Sequence, residues 1–172
     1  MREDEMQDIN ERQLKCKELV QRSISKFNEA EAYLISRDLS ERCICARFAR
    51  YLENELKDFG FADYMVDVEY NRGGEGIESN PKILNYKKIV VDLIVHKRGY
   101  DENYGFSNLI CIEMKKDYKR FNLDSDKERL KNLVDYSYHY CYEAGFMIII
   151  HRNINKQEYA LKIESSYFNH WN

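Results

Sequence analysis

The sequence of 172 residues holds no long uncharged apolar run. A membrane-crossing helix needs about 20 such residues, so none is expected. Nor is there an excess of basic residues: 27 Lys and Arg stand against 30 Asp and Glu, a formal net charge of −3. No global positive field advertises nucleic acid, and any such contact has to rest on charge concentrated locally. The five cysteines are odd in number and lack paired spacing. They read as reduced thiols of a cytoplasmic protein, not as a disulfide framework. Cys43-x-Cys45 has no second ligand pair, which a structural zinc site requires. Met1 is followed by Arg-Glu-Asp-Glu, with no sign of a signal peptide. No internal repeat or low-complexity segment is visible.

What is present can build a core. Hydrophobic residues make up 44% of the chain, and the length suits one domain with an appended segment. Leu14, Val20, Ile24, Phe27 and Leu34 recur at mostly helical spacing. They predict one or two amphipathic helices over about 8–35, packed on the domain or on a second copy. A second helix is expected from about Leu39 to Phe59. Asp38 or Ser40 would cap it, Ile44, Phe48, Leu52 and Leu56 form its core stripe, and Gly60 ends it. Residues 64–70 alternate apolar and polar, as a half-buried strand does. Residues 71–85, with Gly73, Gly74, Gly76 and Pro81, form a connector. Glu69 to Arg72 sit where strand meets loop, within reach of a substrate or a metal.

Two apolar strands follow, over 87–97 and 109–116, joined by a tip with Gly99 and Gly105. A basic and aromatic connector, 117–123, carries Lys119, Arg120 and Phe121, and beside it Tyr118 and Phe121 can stack on an unpaired base. A helix starts at Asp124-Ser125-Asp126, with Lys127, Arg129 and Lys131 in its first turns. Residues 136–142 alternate with period two, yet are assigned to this helix because Gly145 looks like its stop. The run 146–150 is a strand, 156–163 a last antiparallel strand, and 164–172 a tail whose Phe168 and Trp171 pack back. His96, His139, His151 and His170 are scattered, and no Ser/His/Asp or Cys/His set has supporting context.

The chemistry concentrates on the two apolar strands. Asp92 is an acid in the middle of the first, where an unpaired charge is costly. The second ends in Glu113-Met114-Lys115. Side chains alternate on a strand, so Glu113 and Lys115 share a face and Met114 takes the other. Two neighbouring strands that each bring an acid make a divalent-cation site with oxygen ligands. Such a triplet can also be no more than an exposed ion pair of little energetic worth.

Asp92 followed by Glu113-Met114-Lys115 resembles the D…(D/E)-x-K core of the PD-(D/E)XK nuclease superfamily, the restriction-endonuclease-like fold. The likeness covers about Ser40 to Ile150 in element order, with Val91 where the family name has proline. It implies an α/β fold with an αβββαβ core: a central mixed β-sheet flanked by helices, here over 38–172, with an N-terminal helical extension over 1–37. It implies a Mg²⁺- or Mn²⁺-dependent nuclease acting on DNA, with RNA possible as substrate. Asp92, Glu113 and the Met114 carbonyl would hold the cation, Lys115 would orient the attacking water, and Glu41 would face the metal from the first helix. The Glu41 carboxylate can equally serve only the helix dipole. A basic residue of the second helix near the reactive phosphate would be Lys127 or Lys131. Lys116, Lys119, Arg120, Lys127, Lys131 and Arg72 are the expected substrate contacts. A catalytically silent nucleic-acid-binding or assembly module on the same fold is the alternative, and the N-terminal helices are a candidate homodimer contact.

Overall fold

The computed structural model describes residues 11–71, 82–98, 107–138 and 140–169, without the side chains of residues 120–122. Helix α1 (Glu11–Ser36) is followed by α2 (Glu41–Glu55) and strand β1 (Met65–Tyr70). A small antiparallel hairpin of β2 (Ile83–Leu84) and β3 (Lys87–Lys88) precedes β4 (Val91–His96) and β5 (Asn108–Lys116). A 3₁₀ segment (Asp117–Asn122), helix α3 (Leu123–Val134), β6 (Ala144–Asn153) and β7 (Glu158–Phe168) complete the order. The five-stranded sheet runs β1-β4-β5-β6-β7. Only β5 and β6 are parallel among these neighbours, the others antiparallel. The fold is therefore α/β with a central mixed sheet. The parallel pair is joined through α3, as a crossover connection requires.

Alternation divides the sheet's side chains between two cores. Leu93, Val95, Ile110, Ile112, Met114, Phe146 and Ile148 pack against α1 and α2. Ile94, Cys111, Met147 and Ile149 pack against Leu130, Leu133 and Val134 of α3, with Tyr142 beside them. Helix α1 is part of the first core and no mere appendage: Cys16, Leu19, Val20 and Phe27 are fully buried in it. Its Asn28 exchanges hydrogen bonds with both backbone groups of Leu161 in β7. Among the described residues, no helix is long and apolar enough to cross a membrane.

Several expectations need correction. The helix after Asp124 stops at Val134, and residues 135–138 and 140–143 form turns and irregular backbone. The period-two tyrosines mark a folded-in connection: Tyr142 N bonds to Leu133 O, and the Tyr142 ring is fully buried. Gly145 is no helix stop but lies in β6, where an added Cβ would come within 3.2 Å of Val134 and 3.3 Å of Cys111. The missing side chain lets α3 lie close on the sheet. The strand expected over 87–97 is broken between β3 and β4, and β7 extends through Phe168 where a tail was expected. Ser40 does cap α2, accepting from Cys43 N at 3.2 Å. That helix ends at Glu55, before Gly60, whose φ of +82° belongs to the following turn. His139, His170 and Trp171 lie outside the described residues.

Candidate active site

Strands β4 and β5 pair antiparallel with Leu93 opposite Ile112, which puts Asp92 opposite Glu113 one step further along. Both side chains lie on the α3 face, and they are hydrogen-bonded to each other. Asp92 Oδ2 also accepts from Met114 N at 2.8 Å. Glu113 is 4% exposed. Burial first, and then the charge of Asp92, lifts its carboxyl well above the ordinary carboxylate range. Burial also raises Asp92, against the bonds donated by Met114 N–H and Glu113. Two carboxyls this close in a dry site hold one proton between them. The upward shift is the stronger at Glu113, which makes Glu113 the natural donor of the pair and Asp92 the acceptor.

Helix α3 encloses the pair from one side with residues that pattern reading passed over. Arg129 Nη1 donates to Glu113 Oε1 at 2.7 Å, and Arg129 Nη2 to Asp126 Oδ1 at 2.8 Å. Lys115 Nζ is 3.0 Å from Asp126 Oδ2. Burial opposes the Lys115 charge, but Asp126, with Glu41 and Asp92 behind it, outweighs that and raises its pKa. The basic residue of the second helix that meets the acids is thus Arg129, in place of Lys127 or Lys131. Lys127 Nζ lies 3.4 Å from Glu164 of β7, and Lys131 beside Glu128 and over the Tyr167 ring. Asp126 and Arg129 are three apart, a spacing that places both on one helix face. That was the available signal, obscured by the cap-like Asp124-Ser125-Asp126 run.

From the other side Asp92 opens onto a cleft of about 380 Å³ lined by Ser40, Glu41, Arg42, Cys45, Glu69 and Lys119. The first turn of α2 supplies Glu41, whose Oε1 lies 3.6 Å from Lys119 Nζ. Glu69 forms an ion pair with Arg42. The β1–β4 ladder pairs Val68 with Leu93 and Tyr70 with Val91, so Glu69 lies opposite Asp92. Its φ of +52° is left-handed, a costly conformation for a non-glycine residue.

Of the six expected substrate contacts, the four whose side chains are described do not form one basic surface. Lys116 is 5% exposed, points to the opposite face from Lys115, and bonds to Asp38 Oδ1 at 2.7 Å. Lys119 stands in the cleft, whereas Lys127 and Lys131 face β7. Arg72 and the side chains of Arg120 and Phe121 lie outside the described residues.

Among the described residues there is no ready-made group of three or more His, Cys, Asp or Glu metal ligands. Asp92 and Glu113 are hard oxygen donors, and a cation held by both would have to displace any proton they share. Such a two-carboxylate site suits Mg²⁺, which keeps several of its waters. Comparison with known proteins yields no match to a family model, a curated protein or a solved structure.

Proposed function

We propose that the chain is a metal-dependent phosphodiesterase acting on nucleic acid, DNA in the first instance. The observation that carries this reading is the pair of carboxyls, Asp92 and Glu113, set opposite each other on two adjacent strands and beside an open cleft. Five acids (Asp92, Glu113, Asp126, Glu41, Glu69) meet four bases (Lys115, Arg129, Arg42, Lys119) around it. One proton balances that count. Replacing the proton with a divalent cation makes the centre positive, as a phosphodiester substrate requires. Asp92, Glu113 and the Met114 carbonyl would hold such an ion. When bound it would withdraw charge from the phosphate and acidify a water. Lys115, held by Asp126, supplies a fixed positive charge for the transition state. Arg129 keeps Glu113 oriented, and Glu41 and Glu69 face the cleft from which substrate enters.

A second reading has its own observation. Lys115, Arg129 and Lys119 are each already paired with an acid, as in a purely structural charge network on a nucleic-acid-binding module. Calorimetric Mn²⁺ titration and a plasmid-nicking assay separate the two. On the enzymatic reading Asp92→Asn loses Mn²⁺ binding and nicking together. Lys115→Ala keeps the cation while nicking falls roughly 10²–10³-fold, the scale of one lost charge stabiliser. Wild-type protein that neither binds Mn²⁺ nor nicks would leave the module.

A further inference from the structure

The β2–β3 hairpin has features that fold requirements do not explain. Its two-residue turn is Asn85-Tyr86, with φ of +49° and +63°. Both signs are positive, as in the tight turns that suit strand twist. Asparagine tolerates the first position, but the second favours glycine. A tyrosine there costs conformational energy, and nothing within the fold offsets it: Tyr86 is 103% exposed. Lys87 and Lys88 follow, both exposed, and among the described residues neither has an acid partner. This sets them apart from Lys115, Lys116, Lys119, Lys127 and Lys131, each of which has one.

The hairpin is held firmly at its root. Tyr140 Oη accepts from Ile83 N at 2.8 Å and donates to Ile83 O at 3.0 Å. Lys82 is 2% exposed, lies over the rings of Tyr70, Tyr140 and Tyr142, and donates to Tyr142 Oη at 2.8 Å. The chain leaving the hairpin is tied to the acid centre. Arg129 Nη1 reaches Val90 O at 3.3 Å as well as Glu113. Tyr86 stands six positions before Asp92, so their Cα atoms are at most about 20 Å apart.

We infer that this hairpin is a docking element for an unpaired nucleic-acid strand: Tyr86 stacks on a base, and Lys87 and Lys88 take the flanking phosphates. Stacking needs an exposed ring on a rigid support and reads no sequence. Two unpaired ammonium groups beside the ring give the charge that a phosphodiester chain complements. The inference takes its substrate class from the phosphodiesterase reading, but its binding assay does not depend on catalysis.

The test is fluorescence anisotropy of labelled single-stranded DNA, single-stranded RNA and duplex DNA with the full chain, in EDTA and low salt. Tyr86→Gly is the informative variant, because glycine suits the turn and should raise Tm. Its single-strand affinity should fall roughly 5- to 100-fold, and Tyr86→Trp should restore it. Lys87→Glu with Lys88→Glu should lower the salt slope by about two. The DNA and RNA arms show which sugar is accepted. Unchanged binding in Tyr86→Gly, equal preference for duplex, or no oligonucleotide binding by wild type would overturn the inference. In the last case the exposed ring and lysines would serve a protein partner. The binding assay runs in EDTA and reads no cleavage, so a failed nicking assay leaves this result standing, and the converse holds.

Discussion

At the scale of single residues, the Asp92–Glu113 pair makes stability depend on pH. The folded-state pKa of Glu113 lies well above its unfolded value. Its contribution is therefore fully present below about pH 4.5 and is lost as pH rises through the raised value. Glu113→Gln keeps a hydrogen-bond donor toward Asp92 but cannot ionise. The variant should hold its Tm where wild type declines as the pH rises above 4.5, and wild type should recover on adding Mg²⁺. Parallel melting curves for the two proteins would contradict the shared proton. Asp92, Glu113 and Lys115 were legible in the sequence because charges in apolar strands are conspicuous. Asp126 and Arg129 were not, because a charged residue on an amphipathic helix looks the same whether it faces water or a buried acid. Glu69 stood out only as a residue at a strand end, and its left-handed backbone has no signature in the side chain.

At the scale of elements, the anchored hairpin depends on Lys82. Burial lowers its pKa to about 8 from an ordinary value of 10.5. The unfolded chain therefore binds the proton more tightly between those values, and stability should rise with pH across that window. Lys82→Met should abolish this rise, seen as the wild-type minus variant difference in urea midpoints from pH 7.5 to 10. An unchanged difference would mean that water reaches the ammonium. The hairpin itself escaped sequence reading because two strands of two residues each carry no periodicity. The Tyr136–Tyr142 segment misled for a related reason: Tyr140 and Tyr142 alternate because both turn inward, toward Ile83 and Lys82, not because they form a regular element.

At the scale of the whole molecule, α1 is an integral wall of the larger core. Phe27 is fully buried and packs edge-on against Phe48 and Tyr51, with ring centroids 5.9 and 5.5 Å away. Phe27→Ala should cost about 3–5 kcal/mol, a large part of the roughly 5–15 kcal/mol that holds such a domain together. Urea unfolding measures it, and a loss below about 1 kcal/mol would show that α1 is dispensable. The amphipathic stripe of α1 was plain in the sequence, but a stripe does not name its partner. Whether it lies on the sheet, on another helix or on a second copy is tertiary information. The β4–β5 pairing was easier, since apolar runs joined by a short tip pair antiparallel.

The sequence spacing of these contacts has a kinetic consequence. Asp92, Glu113, Asp126 and Arg129 all lie within one continuous stretch, whereas α1 closes on β7 across 133 residues, as between Asn28 and Leu161. Short-range closures cost less chain entropy and tend to come first. The polar centre should therefore assemble while α1 is still undocked, and the N-terminal helix should close the structure late. In a chevron plot, Phe27→Ala should then act mainly by speeding unfolding, with the refolding limb nearly unmoved. A refolding rate that falls by the full equilibrium effect would place α1 in the nucleus instead.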